Sequence, residues 1–187
     1  MLFRSHPPFP VNTNVPLLQA WDVLRQPELI PEGSDITVVG GGMVGIETAE
    51  CIAKRAKRVT ILEGQSVVAK EMARNNRWDA LLRLREARAE IVTGVPVMSI
   101  EGDTISCRRG EDIVRYPAGD RIVLAVGARP QREVSKLADE AGVPWVMVGD
   151  SNNVPGDFLT AIRDASMIAW AAEERFPAAP GKVRAMS

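Results

Sequence analysis

The chain has 187 residues, enough for one domain of ordinary size or a small domain with part of a second; a chain this long can bury roughly 70% of its unfolded surface without staples. Apolar residues make up 45% and charged residues 25%, and the formal net charge of −1 removes any global electrostatic case for nucleic acid or an anionic membrane as the partner. The two cysteines, Cys51 and Cys107, stand far apart, which excludes a structural zinc, an iron–sulfur cluster held by this chain alone and a closely spaced redox pair, and leaves two free thiols or one disulfide.

Residues 1–16 carry Pro7, Pro8, Pro10 and Pro16 and read as an irregular lead-in with no apolar core of a secretory signal. No run approaches the roughly 18 consecutive apolar residues of a membrane helix, so the expected compartment is the cytoplasm. A short helix is expected over 17–24, broken by Pro27, Pro31 and Gly33. Residues 36–39 form the first strong strand, a β-branched run that ends at Gly40. A helix over 46–57 follows the glycine turn, with Ala49, Ile52, Ala53 and Ala56 at helical spacing, and residues 58–62 form a second strand ending at Glu63. Strand, turn, helix and strand within this length make one βαβ unit with parallel strands.

Downstream, the apolar side of Trp78, Leu81, Leu82 and Leu84 predicts a helix over 73–88, and 90–92 predicts a third parallel strand. Residues 95–100, 104–107 and 113–116 predict short antiparallel strands joined at Gly102-Asp103 and Gly110-Glu111. Strands over 121–126 and 145–148 and a last helix over 158–174 complete the expectation, ahead of a tail rich in proline and alanine. The fold class is therefore α/β, a Rossmann-like parallel sheet with a small antiparallel β layer.

Chemistry concentrates in Gly40-x-Gly42-x-x-Gly45 and Glu63. Gly40 permits the tight turn out of the strand, Gly42 lets a pyrophosphate approach the backbone, and Gly45 lets the helix pack closely on the strand. The N–H groups of Met43, Val44 and Gly45 then face the phosphates with the helix dipole behind them. Glu63 ends the second strand eighteen residues past Gly45, where its carboxylate can accept the adenosine ribose hydroxyls and would repel a 2′-phosphate. That favours NAD(H) over NADP(H). The alternative for the same residues is a glycine-rich turn that serves only architecture.

Residues 40–50, reading GGGMVGIETAE, together with 125–130 (AVGARP) and 148–150 (VGD), closely resemble the two-dinucleotide-binding-domain flavoproteins. The likeness is greatest to the C-terminal part of the bacterial NADH:flavin oxidoreductases related to 2,4-dienoyl-CoA reductase and 2-enoate reductase, and it covers about residues 16–174. It implies that residues 34–118 are an NAD(P)H-binding Rossmann domain, 1–33 a lead-in and linker, 119–174 the C-terminal part of an FAD-binding domain and 175–187 a tail. Gly40, Gly42 and Gly45 would hold the pyrophosphate and Glu63 the ribose. Glu47 matches an acid near the nicotinamide end, or simply complements the helix N-terminus. Gly127 matches the glycine where the chain returns to the flavin domain, and Asp150 the aspartate that meets the FAD ribityl chain, or a plain turn residue.

The resemblance further implies NADH and FAD as ligands, with only a partial FAD site here because the first half of the flavin domain is absent upstream. That half-domain or a partner subunit would complete it. FMN and a 4Fe–4S cluster belong only to the implied intact enzyme, in which electrons would pass on to an enoate or enoyl-CoA. Other parents of the same kind are a ferredoxin- or rubredoxin-type reductase, and the non-enzyme alternative is a nucleotide-binding module without turnover. No catalytic or metal-binding residue is assigned, since the cofactors carry the electron chemistry. The single histidine, His6, sits in the lead-in; Cys51 and Trp21, Trp78, Trp145 and Trp170 read as packing residues.

Overall fold

The computed structural model describes residues 2–4, 7–130, 133–149 and 158–171. The lead-in is less irregular than its prolines suggest, because it contributes strands β1 (Leu2–Arg4) and β2 (Val11–Asn12). Residues 17–24 do not form one helix: Leu17–Gln19 is a strand, β3, and helix α1 begins only at Ala20 and runs to Arg25. A single helical turn over Pro27–Leu29 leads to β4 (Asp35–Val39). Helix α2 (Met43–Ile52) starts three residues earlier than its spacing suggests and stops five earlier. The chain leaves it because Lys57 donates its N–H to the Ser34 carbonyl, which lines up β5 (Arg58–Leu62) beside β4.

Helix α3 (Arg74–Glu86) and strand β6 (Glu90–Val92) follow, then β7 (Val97–Glu101), β8 (Thr104–Arg109) and β9 (Asp112–Pro117) as a meander, and β10 (Arg121–Leu124). Two elements were not expected, the strand β11 (Ala128–Pro130) and the helix α4 (Glu133–Glu140). The last helix, α5, spans Phe158–Trp170. Residues 143–148 hold no regular structure, so the expected strand at 145–148 does not form; an extended run needs a neighbour to pair with, and it finds none among the described residues.

The chain divides into two compact units, Ser5–Gly127 and Met1–Arg4 with Ala128–Ser187. In the first, five strands form an all-parallel sheet in the order β3-β10-β4-β5-β6. The boundary expected at 118 therefore falls inside this unit, since β10 sits in the sheet between β3 and β4. Beside it lies a second sheet, β2-β7-β8-β9, in which β2 pairs parallel to β7 and the rest is antiparallel.

The unbroken apolar run of β4 reflects burial on both faces. Ile36 and Val38, with Val59, Ile61 and Val123, pack against Ile46, Ala49 and Ile52 of α2 and Ala80 and Leu84 of α3. Val39, Leu62, Ile122 and Leu124 face the other way, onto Val95, Ile100, Ile105 and Cys107 of the meander side. This alternation makes three layers: helices, parallel sheet, antiparallel sheet. Thr37 on the meander face is buried and donates its hydroxyl to the Pro117 carbonyl at 3.0 Å.

In the other unit β1 pairs antiparallel with β11, and among the side chains described neither α4 nor α5 buries an apolar one deeply. The four tryptophans are not core residues. Trp21, Trp78, Trp145 and Trp170 are all substantially exposed, Trp78 because it lies on the outer face of α3, opposite Ala80 and Leu84. No described helix is long and apolar enough to cross a membrane.

Candidate nucleotide site

The glycine turn sits at the carboxyl end of β4, where open parallel sheets place ligands. Gly40 leaves the strand with φ +102°, and a Cβ there would lie 2.4 Å from the Ala125 carbonyl oxygen. Gly40 also donates its N–H to the Leu62 carbonyl at 2.9 Å, tying the turn to the end of β5. A Cβ at Gly45 would meet the Gly40 carbonyl oxygen at 2.0 Å, so the first turn of α2 rests directly on the strand end. Both are demanded by the protein's own packing.

Gly42 differs. It caps α2 with ordinary extended geometry, φ −65° and ψ −177°, and a Cβ built on it meets nothing within 4 Å. No side chain caps the helix and no acid stands in its first turn. The N–H groups of exposed Met43, half-buried Val44 and buried Gly45 therefore have no acceptor within the helix, and open space lies beside them. This donor set suits an anion, and the bare α-carbon at Gly42 gives it room.

Glu63 is half-buried at the end of β5, and both carboxylate oxygens accept backbone N–H groups: Oε2 from Gly41 at 2.5 Å and Oε1 from Gln65 at 2.7 Å. It thus braces the glycine turn. A carboxylate offers about four lone-pair directions, so two remain for hydroxyl donors of a ribose.

Two features escaped the motif. A Cβ on Gly41 would lie 2.8 Å from Val68 Cγ1 and 3.0 Å from Glu63 Cβ, so the middle glycine, like Gly40 and unlike Gly42, is constrained by the protein's own packing. Ala69, buried and in the left-handed region at φ +46°, donates its N–H to the Gly41 carbonyl at 2.7 Å. The loop after β5 is strapped onto the turn. The run of three glycines was the available signal for Gly41; nothing local marks Ala69.

The remaining expected residues scatter. Glu47 is exposed on α2, one turn beyond the first, where a helix dipole acts weakly. It lines a groove of about 540 Å³ between α2 and α3 with Glu50, Lys54, Arg83 and Cys51, in which Arg83 Nε donates to Glu50 Oε1. Cys51 is accordingly a half-buried groove residue and not core. Gly127, exposed with φ +89°, is the last residue of the first unit. Asp150 and His6 lie outside the described residues. Both cysteines are free thiols, and burial pushes Cys107 up to about 11, which leaves it protonated and unreactive at neutral pH.

A family described as pyridine nucleotide-disulphide oxidoreductase matches residues 7–153, well over half of the chain. Among curated proteins, a bilirubin reductase of Mediterraneibacter gnavus is 33% identical over 153 residues, covering 82% of this chain and 23% of that protein. An NADH oxidase of Thermoanaerobacter brockii is 30% identical over 158 residues, 84% of this chain and 24% of that protein. The chain thus spans about a quarter of the length of these relatives. Among solved structures, 2-naphthoyl-CoA reductase superposes with a TM-score of 0.71 at 23% identity, covering 87% of this chain and 24% of that one, a likeness of fold. A parallel sheet with an open glycine turn and a braced acid at the next strand end, together with a family match across both units, leads to one conclusion: the chain belongs to the pyridine nucleotide-disulphide oxidoreductase family.

Proposed function

We propose that the unit Ser5–Gly127 binds NADH, as the pyridine-nucleotide-binding part of a flavin-dependent oxidoreductase. The observation that carries this reading is Gly42, whose glycine identity no contact within the protein demands, beside an uncapped helix start. The N–H groups of Met43, Val44 and Gly45 would hold the pyrophosphate, and Glu63, already fixed by Gly41 and Gln65, would accept the adenosine ribose hydroxyls. A carboxylate there repels a 2′-phosphate, which favours NADH over NADPH, as does the likeness to an NADH oxidase. When bound, the nicotinamide supplies a hydride; this chain's residues only hold and orient it.

The same reading gives Gly127 and Asp150 the FAD-side roles that the resemblance implies and Glu47 a place toward the nicotinamide, with the rest of the flavin site on another segment or subunit. It places the intact protein among the NADH:flavin oxidoreductases related to dienoyl-CoA and enoate reductases, with FMN and a 4Fe–4S cluster there. Two free thiols agree with a reducing, cytoplasmic setting.

Calorimetric titration of the chain with NADH, NADPH and FAD tests it, with Gly42→Asp alongside. Aspartate is a favoured helix cap at this geometry, so the fold is retained, while its charge and bulk occupy the anion site. The expected result is NADH binding tighter than NADPH, and a loss of about tenfold or more in Gly42→Asp, the equivalent of about 1.4 kcal/mol. A folded chain that binds no pyridine nucleotide would reduce the turn to architecture.

A further inference from the structure

Arg77 is the third residue after the start of α3 and belongs to its inward face, since Ala80, Leu81 and Leu84 follow at helical spacing and pack into the helix-side core. An arginine there is out of place. Its side chain is only partly exposed, and its Nε is fully buried with no hydrogen-bond partner. Among the described residues it makes no ion pair either, although Arg83, six residues further along, is matched by Glu50. A guanidinium does not deprotonate, so its buried Nε donor calls for an acceptor that the described residues do not provide.

The position of Arg77 follows from register. Helices α2 and α3 each connect neighbouring parallel strands, so they run in the same direction, and they pack directly against each other. The Arg83–Glu50 pair sets their relative height. Stepping six residues back along each helix, about 9 Å, brings Arg77 level with Val44. Long side chains on helices lean toward the N-terminus, which carries the guanidinium toward the level of Gly42 and Met43. There the unfilled backbone donors of α2 already favour negative charge.

We propose that Arg77 is a phosphate ligand of the nucleotide site, its guanidinium flanking the glycine turn from the α3 side and donating to the pyrophosphate. This rests on the NADH-binding reading. The planar fork suits phosphate oxygens, and the buried Nε without a partner is the donor that a bound phosphate would satisfy.

The test titrates the unsubstituted chain, Arg77→Met and Arg77→Lys with NADH at low and high salt, and records the thermal unfolding of each free protein. Methionine keeps the apolar stem and removes the buried donor. The expected outcome is opposite in sign for the two readouts: the free Arg77→Met protein unfolds at the same or a higher temperature, yet binds NADH about tenfold more weakly at low salt with a flatter salt dependence. Arg77→Lys retains charge and recovers part of the affinity. If Arg77→Met binds NADH as well as the unsubstituted chain while Gly42→Asp does not, the role of Arg77 is overturned and the glycine-turn reading stands. If the unsubstituted chain binds no NADH, the nucleotide reading falls and the Arg77 role with it.

Discussion

A Cβ at Gly45 would stand 2.0 Å from the Gly40 carbonyl oxygen, whereas one at Gly42 would touch nothing. The same motif therefore mixes two physical causes, and stability measurements separate them. Gly45→Ala forces the first turn of α2 off the end of β4 and is expected to lower stability by about 2–3 kcal/mol in denaturant unfolding, the upper part of the range for overpacked sites. Gly42→Ala should cost only about 0.5–1 kcal/mol, the loss of a favourable helix cap with no clash. Equal losses at both positions would mean that Gly42 too is structural. Gly40, Gly42, Gly45 and Glu63 were all legible from spacing, because a strand, a tight turn and a helix impose fixed intervals. The constraint on Gly41 and the isolation of Arg77 were not, since Gly41 is held by Val68 and Glu63, some twenty residues further on, and the buried Nε of Arg77 without a partner shows only in the packed structure.

At the scale of elements, the first turn of the sheet is pinned by charge. Asp35, which opens β4, lies 2.6 Å from Arg58, which opens β5, and donates its own N–H to Asp120 Oδ2 just before β10. The hydrogen bond from Arg58 holds the Asp35 carboxyl below its ordinary value, against a smaller opposing effect of burial. A depressed folded-state value means that the stabilisation is present above the unfolded value, about 4, and is lost as the pH falls through the folded one. Asp35→Asn should therefore flatten the fall of the thermal midpoint below about pH 4 and leave the slope above it unchanged. Arg58 is exposed while Asp35 is half-buried, so high salt should weaken the effect in part. An identical acid slope in the variant would show that other carboxylates govern it. Strand–helix alternation over 36–92 could be read directly, because local periodicity follows local burial. Leu17–Gln19 could not: those residues extend only because β10, about a hundred positions later, pairs with them.

For the whole molecule, the two units differ in how much apolar surface they hide. Ser5–Gly127 encloses its sheet between helices and meander. In the other unit, Val134 and Leu137 of α4 are 73% and 63% exposed, and Leu159 and Trp170 of α5 are 72% and 94% exposed. Apolar side chains shown together in this way bind hydrophobic dyes. The chain should enhance the fluorescence of anilinonaphthalene sulfonate, and Val134→Lys with Leu137→Lys should remove part of that signal without lowering the thermal midpoint. Unchanged fluorescence in the double variant would show that α4 is not the dye-binding surface.

What the amino-acid order determined unaided was the α/β class, the βαβ unit, the meander and the positions of the glycine turn and Glu63, all consequences of interactions between residues close in the chain. Tertiary structure decided the rest. It added β3 and β10 to the parallel sheet, kept residues 145–148 from forming a strand, moved the boundary between units to Gly127, and turned Arg77 from one arginine among many into a buried donor without a partner. Each of these depends on which distant segment lies alongside, and pairing between distant segments leaves no periodicity in either one.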